Sequence, residues 1–167
     1  MILSVAEDPQ RLAEAVGDAM YARDSASRML GMTLDSIAPG RAQMTMRVRP
    51  DMCNGHGICH GGLIFTLADS TFAFACNSYN VNTVASGCAI DFLAAAKSGD
   101  ALTARAEMRQ QGSRIGVYDI SVSNQKDEVI ALFRGKSYRM KGDVIAGLAA
   151  QATSPNKRGN SDAGPSS

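Results

Sequence analysis

The chain has 167 residues, of which 45% are hydrophobic and 20% charged, and its formal net charge is +1. This length and composition are typical of one soluble globular domain with a core. The near-zero charge argues against a broad nucleic-acid surface. No apolar run reaches the ~20 residues of a membrane span. Without a signal-peptide pattern, we expect a cytoplasmic protein whose four cysteines are reduced thiols.

The predicted elements begin with a helix. Asp8 and Pro9 are typical of an N-cap followed by proline in the first turn, and Leu12, Val16 and Met20 share one helical face. Two strands are predicted next, at about 29–37 and 41–49, and the second alternates apolar and polar residues. A loop over 50–59 precedes a central helix over 61 to about 77, which is apolar on nearly all sides.

The second half is predicted to be mostly strand, with strands at 84–94, 101–109, 114–124 and 129–140 separated by polar turns. This order predicts an α+β fold in which one antiparallel sheet wraps around one long central helix. We expect an N-terminal extension over 1–8, a single domain over 9–146 and a disordered tail over 147–167. Towards its end the tail is rich in Ser, Pro, Asn and Gly and has few large apolar residues.

The segment 54–70, NGHGICHGGLIFTLADS, carries the candidate chemistry. Asp69 interrupts the apolar helix, and it is either a structural carboxylate bonded to a backbone group or an arginine, or a catalytic base or nucleophile. Gly61 and Gly62 leave the helix N-terminus open, so its N–H groups could polarise a carbonyl oxygen as an oxyanion hole does. The alternative is that the two glycines permit a tight turn.

Two polar side chains precede the helix. Asn54 could orient a carboxylate, a water or a substrate carbonyl, or serve as a turn residue. His60 could hydrogen-bond near an acyl group or cap the helix. A zinc site built from Cys53, His56, Cys59 and His60 is disfavoured, because structural zinc sites usually draw two ligand pairs separated by a longer insertion. We therefore predict no metal.

The spacing of Gly61 and Asp69 has a consequence for assembly. The two residues are eight positions apart, about 12 Å along a helix axis, so they cannot both contact one carbonyl group from the same helix. If both act on one substrate, the central helices of two subunits must meet in antiparallel orientation. Catalysis by this pair therefore predicts a homodimer.

Basic residues gather near the turns of the second half. Solvated charge at strand edges is one interpretation, and a patch that contacts phosphates is the other. Gly112 lies in one of these turns and would let a nucleotide approach the backbone. The residues are Arg109, Arg114, Arg134, Lys136 and Arg139.

The segments 54–57, 60–62 and 67–69 resemble the signature of the hotdog-fold acyl-CoA thioesterases. The resemblance continues through 73–78, 84–86, 90–93, 116–120 and 131–137, and covers about 12–142. It is closest to the phenylacetic acid degradation (PaaI) type, the hydroxyphenylacetyl-CoA thioesterases. The resemblance implies a hotdog fold, a homodimer paired into a homotetramer, and thioester hydrolysis with neither metal nor cofactor, coenzyme A being part of the substrate.

The resemblance also implies roles for particular residues. The N–H of Gly61 would polarise the thioester carbonyl, and Asp69 of the other subunit would act as nucleophile or general base. Asn54 and His60 would arrange the acyl group or the attacking water. The nucleotide end of coenzyme A would contact Gln111, Gly112, Ser113, Arg114 and Lys136. The expected substrate is a phenylacetyl-type CoA thioester, ring-hydroxylated forms included, in phenylacetate and other aromatic catabolism.

Three other functions stay open. A broad-specificity thioesterase for short- and medium-chain acyl-CoA would use the same residues. A hotdog hydratase or dehydratase would usually pair an Asp with a His on a differently placed signature. A non-catalytic acyl-CoA sensor would carry a DNA-binding segment or lack the carboxylate, whereas Asp69 is present here.

Overall fold

The computed structural model describes residue 5 and residues 7–150. The helices are α1 (Pro9–Arg23), α2 (Ser25–Met29) and α3 (Gly61–Asn77), and a 3-10 turn covers Pro50–Met52. The strands are β1 (Met32–Ala38), β2 (Arg41–Arg47), β3 (Thr83–Phe92), β4 (Ala101–Gln111), β5 (Ile115–Ser123) and β6 (Val129–Arg139).

The strands form one antiparallel sheet in the order β1-β2-β4-β5-β6-β3, so β1 and β3 are its edges. Alternate residues of the central strands face α3 and are buried, for example Met44, Ala104 and Ile120. In these central strands the alternation places one set of side chains in the core and the other set on the opposite face of the sheet. The predicted fold, an antiparallel sheet around a long central helix, is confirmed.

The contact between α3 and β6 depends on a glycine. A Cβ atom at Gly135 would lie 2.8 Å from the ring of Phe72, which is itself fully buried. The Phe72 ring also packs on that of Tyr118, with centroids 5.4 Å apart. Helix α3 is therefore held against the middle of the sheet by aromatic packing that leaves no space for a side chain at 135.

The strand predicted at 29–37 begins three residues late, and the prediction of its start was wrong. Asp24 caps the additional short helix α2, since its carboxylate accepts hydrogen bonds from Ser27 N at 3.0 Å and Ser27 Oγ at 2.6 Å. Asp is one of the residue types that favour the N-cap position, so Asp24 was a signal that the sequence already contained. The ends of the other predicted strands agree with the structure to within two residues.

The predicted extension and tail lie partly outside the described residues. Asp8 caps α1, with its side chain accepting from Gln10 N and Arg11 N. The segment that follows β6 is bonded to Asn80, which lies between α3 and β3. The Asn80 side chain donates to Leu148 O at 2.8 Å and accepts from Ile145 N at 2.8 Å. Residues 151–167 lie outside the described part of the chain, and the domain boundaries stay a prediction.

Candidate active site

The loop before α3 is closed by backbone hydrogen bonds. Asn54 N donates to Ile58 O at 2.8 Å, and His60 N donates to Met52 O at 2.9 Å. The side-chain oxygen of Asn54 accepts from His56 N at 2.9 Å and from Ile58 N at 3.4 Å. Because its oxygen holds the loop, Asn54 keeps its amide N–H₂ group as the donor that could reach a ligand.

His60 is the N-cap of α3. Its Nδ1 atom accepts a hydrogen bond from Gly62 N at 2.9 Å, and its carbonyl oxygen accepts from Leu63 N at 2.9 Å. In the neutral ring the proton is therefore on Nε2. The exposed imidazole thus serves as the helix cap, one of the two predicted roles, and still has an N–H donor free for the other.

Gly61 presents an open amide at the positive end of α3. The amides of Gly62 and Leu63 bond to His60, whereas the Gly61 N–H has no hydrogen-bond partner among the described residues. A Cβ at Gly61 would lie 3.0 Å from the ring of Phe92, a side chain that is 51% exposed. The glycine therefore lets an aromatic ring border an amide that can still donate to a ligand oxygen.

Asp69 lies half-buried in the middle of α3. Burial raises the pKa of its carboxyl group above the ordinary value, and a hydrogen bond from the Cys88 thiol opposes that rise. The Cys88 Sγ atom is 3.9 Å from Asp69 Oδ1. In the described part of the chain neither a backbone group nor an arginine donates to this carboxylate, so the structural pairing considered from the sequence is not found within one protomer.

Cys88 and Phe92 are site neighbours that sequence reasoning missed. Both lie on β3, and which β3 side chains meet α3 depends on the pairing of β3 with β6, including an irregularity between Ala85 and Gly87. A register that contains a bulge cannot be read from alternation alone, because the bulge moves the following side chains to the other face.

The predicted nucleotide-binding turn, residues 111–114, lies at the other end of the sheet, while Lys136 pairs with Gly87 near the middle of β3. Arg114 Nη1 donates to the hydroxyl of Tyr138, and Tyr138 pairs with Val84 at the start of β3. Gly61 contacts Phe92, at the end of the same strand. The 17 residues of α3 span about 25 Å, and Gly61 is at the end of the helix that lies away from the β4–β5 turn. Within one protomer the Gly61 amide is therefore far from that turn.

The five predicted nucleotide contacts differ in exposure. Gln111 is 9% exposed, and its Nε2 donates to Gly112 O at 2.9 Å, so the side chain supports the turn from inside. Gly112, Ser113 and Arg114 are exposed in that turn, and Lys136 is exposed on the face of the sheet that points away from α3. Four of the five can therefore reach a ligand without rearrangement.

A cavity of about 1020 Å³ lies on the charged face of the sheet, and none of its lining residues belongs to α3. Asp119 pairs there with Arg134 at 2.6 Å and with Arg109 at 2.9 Å. The Arg134 guanidinium, with a smaller effect of Arg109, holds the pKa of Asp119 below its ordinary value. Arg109 and Arg134 therefore pair with carboxylates, which favours the strand-surface interpretation for these two residues.

The described residues contain no group of three or more His, Cys, Asp or Glu side chains arranged to hold a metal ion. Over the same part of the chain, no helix is long and apolar enough to cross a membrane.

Comparison with known proteins identifies the family. The family model described as the thioesterase superfamily matches residues 56–131. The acyl-coenzyme A thioesterase PaaI of Escherichia coli is 50% identical over 126 residues, which cover 75% of this chain and 90% of that protein. The chain belongs to the thioesterase superfamily. It is a thioester hydrolase of the PaaI type, so the predicted family and enzyme class are confirmed.

Two solved structures are similar to this fold. The structure of E. coli PaaI, from the phenylacetic acid degradation operon, has a TM-score of 0.80 and 47% identity, and the match covers 81% of this chain and 99% of that one. A Streptococcus mutans protein bound to acetyl CoA has a TM-score of 0.65 and 26% identity, over 67% of this chain and 90% of that one.

Proposed function

We propose that this thioesterase hydrolyses phenylacetyl-type CoA thioesters, ring-hydroxylated forms included, to the free acid and coenzyme A in aromatic catabolism. The 50% identity to an acyl-coenzyme A thioesterase and the operon of E. coli PaaI support the substrate class. The observation that carries the proposal is that α3 carries both an open amide, at Gly61, and a half-buried carboxylate, at Asp69.

These two groups supply complementary chemistry. The thioester carbonyl oxygen accepts a hydrogen bond from the Gly61 amide, which stabilises the negative charge that develops on it. Asp69, as general base, takes a proton from a water molecule whose oxygen attacks the carbonyl carbon. The C–S bond then breaks, and the proton passes from Asp69 to the leaving coenzyme A sulfur. Direct attack by Asp69, with hydrolysis of the resulting anhydride, uses the same carboxylate in the same place.

The site requires two subunits. Gly61 and Asp69 lie about 12 Å apart along α3, too far to act on one carbonyl group from the same helix. The polar stripe of α3 that includes Thr66, Asp69 and Ser70 is only half-covered in one protomer. We therefore propose a two-fold symmetric homodimer in which Gly61 of one subunit faces the partner subunit's Asp69.

Strand β3 supports this dimer. It is an edge strand of ten residues whose exposed side chains include Val84 and Phe92, and the exposed Leu93 follows it directly. A long edge with exposed apolar residues is typical of a strand that pairs with another chain. An antiparallel partner would also bring its own β4–β5 turn and Lys136 towards the open end of α3. The pairing of dimers into a homotetramer stays part of the proposal.

Asn54 and His60 complete the proposed site. Their remaining donors, the Asn54 amide and the His60 Nε2–H, lie on the loop that leads into Gly61. We assign them to orienting the acyl group or the attacking water. The exposed residues Gly112, Ser113, Arg114 and Lys136 are assigned to the nucleotide end of coenzyme A, with Gln111 holding their turn from inside.

The first experiment measures release of free thiol from phenylacetyl-, hydroxyphenylacetyl-, benzoyl-, short-chain and long-chain CoA thioesters. Preference for the phenylacetyl members supports the proposal. Equal hydrolysis across the panel contradicts the substrate class and favours a broad-specificity thioesterase. Tight binding without release from any member contradicts catalysis and favours a sensor.

The composite site is tested by mixing two inactive subunits. Co-expression of the Gly61→Pro and Asp69→Asn chains should restore about a quarter of wild-type activity. Half of randomly assorted dimers are mixed, and each mixed dimer then holds one site with both groups intact. If Gly61 and Asp69 acted from the same subunit, every site would lack one group and mixing would restore nothing.

A further inference from the structure

Cys53 and Cys59 lie opposite each other at the base of the loop that carries Asn54. The two residues form an isolated antiparallel bridge. The hydrogen bonds beside them join Asn54 N to Ile58 O and His60 N to Met52 O. This pattern makes the two cysteines a non-hydrogen-bonded pair, the arrangement in which Cα atoms are about 4.5 Å apart and side chains lie closest on one face.

The two thiols share an environment. Cys59 is 3% exposed and belongs to the core cluster, and Cys53 is partly buried against the same cluster. Burial raises the pKa of Cys59 to about 11, with a further contribution from Cys53, as expected for neighbouring thiols. Both are reduced in this structure. A separation of about 4.5 Å between Cα atoms lies within the range of about 4.4–6.8 Å that disulfides span.

We propose that Cys53 and Cys59 are a site of reversible oxidation, at which a low-molecular-weight disulfide converts the two thiols into one intramolecular disulfide. The bond would close the loop over residues 54–58, one residue before the helix cap His60. The proposal rests on the bridge geometry and not on thioester hydrolysis, so it holds or fails independently of the proposed function.

The reaction is a two-step exchange. The Cys53 thiolate, the more exposed of the two, attacks one sulfur of oxidised glutathione, breaks its S–S bond and releases one glutathione thiolate. The Cys59 sulfur then attacks Cys53 Sγ and displaces the second glutathione. The protein loses two hydrogen atoms, and one glutathione disulfide becomes two glutathione thiols.

The other two cysteines provide internal controls. Cys76 lies within α3 and its thiol contacts Ala73 O, while Cys88 lies on β3 with its thiol against Asp69. Cleavage before aspartate separates the pairs, because the peptide 51–68 contains Cys53 and Cys59 and the peptide 69–90 contains Cys76 and Cys88. Each pair can therefore be assayed in one digest.

The folded full-length protein is incubated in oxidised glutathione and then quenched with N-ethylmaleimide in a denaturant, so that the buried thiols of Cys59 and Cys76 can react. It is digested without reductant and analysed by mass spectrometry. We expect the peptide 51–68 to carry no maleimide or glutathione and to be lighter by two hydrogen atoms, while 69–90 carries two maleimides. Dithiothreitol should restore both maleimide sites on 51–68.

Two variants complete the test. In Cys53→Ser the peptide 51–68 should keep one reactive thiol and show no loss of hydrogen. A Cys76→Ser, Cys88→Ser double variant should still form the disulfide in 51–68 to the same extent as wild type. The proposal is overturned by a cross-link between the two peptides, by a mixed disulfide that persists on Cys53, or by full maleimide labelling of 51–68 after equilibration with the oxidant.

Discussion

Polar side chains lie at both ends of α3, but the hydrogen-bonding groups at the C-terminal end are paired within the fold and several donors at the N-terminal end are not. At the C-terminal end Asn77, Ser78 and Asn80 are buried. Asn77 Oδ1 accepts from Thr83 N and Asn77 Nδ2 donates to Thr83 O, each at 2.9 Å. Ser78 Oγ accepts from Gly40 N at 2.8 Å. These bonds fix the chain that leaves the helix.

At the N-terminal end donors remain open. The Gly61 amide has no partner in the described part of the chain, and neither the side-chain N–H₂ group of Asn54 nor the Nε2 atom of His60 is used by the bonds that shape the loop. A buried polar group without a partner is destabilising, whereas an accessible one is available to a ligand. Hydrogen-bond pairing within the fold, and not the polar sequence itself, therefore separates a structural cluster from a candidate site.

The largest expected effect is that of Asp69→Asn. The variant keeps the shape of the side chain but removes the base, so kcat/KM should fall by roughly 10²- to 10⁴-fold in the thiol-release assay. Burial raises the pKa of Asp69 in the folded protein. Its contribution to stability is therefore present at low pH and lost as pH rises through the folded pKa.

The same variant should consequently be at least as resistant to thermal unfolding as the wild type at neutral pH. Retained turnover would contradict the catalytic role. A large fall in the unfolding temperature would instead show that Asp69 has a structural role, as Asn77 has at the C-terminal end of α3.

Gly61→Pro removes the open amide without removing a helix hydrogen bond, because proline is favoured at the first helical position. His60, at φ −62° and ψ 129°, already has the conformation that a residue before proline prefers. We expect kcat to fall by roughly 10²- to 10³-fold, the effect of losing one oxyanion donor. Gly61→Ala is the matched control, since it adds the same Cβ beside Phe92 but keeps the N–H. Equal losses in both variants would show that the Cβ, and not the missing amide, is responsible.

A pair of asparagine variants tests the two ends directly. Asn77→Ala leaves the buried backbone groups of Thr83 without partners and should lower the free energy of unfolding by about 1–3 kcal/mol for each such group. Activity per folded molecule should be unchanged. Asn54→Ala should show the reverse balance, a loss of activity of roughly 10- to 100-fold, equivalent to one hydrogen bond to a charged group. Its loss of stability should be smaller than that of Asn77→Ala, because the N–H groups of His56 and Ile58 that lose their acceptor are less buried than those of Thr83.

Urea unfolding and thiol release, measured on both variants at one protein concentration, give the result. The concentration must match because the apparent stability of the proposed dimer would depend on it. If Asn77→Ala lowered activity as strongly as Asn54→Ala, the distinction between the ends would be lost.

Much of the fold could be predicted because it follows from periodicity. Alternation places the buried residues of β2, β4 and β5, and the apolar run of α3 identifies the central helix with the observed limits of 61 and 77. Helix α2 escaped prediction because five residues carry no helical periodicity. Its Asp24 cap was the available signal.

The site was less accessible to sequence reasoning because it depends on contacts distant in the chain. The partner of Asp69 is a thiol 19 positions away, brought close by the register of β3. Gln111 belongs to the predicted nucleotide-binding turn, yet its side chain turns inward, and a polar residue next to a glycine gives no indication of that direction. The pairing of Cys53 with Cys59 depends on backbone bonds within a loop that composition marks as irregular.

The smallest expected effect concerns the Cys88 thiol, which donates to Asp69 within one protomer. The Cys88 thiol stabilises the charged form of Asp69, so Cys88→Ala should raise the pKa of that carboxyl group further. A protonated base is inactive, and the acid limb of the pH profile of kcat/KM should therefore move to higher pH. Cys88→Ser keeps a donor and should leave the limb nearer that of the wild type. A limb that is unchanged in both variants would show that Cys88 only packs against Asp69, leaving burial alone to set the pKa of the base.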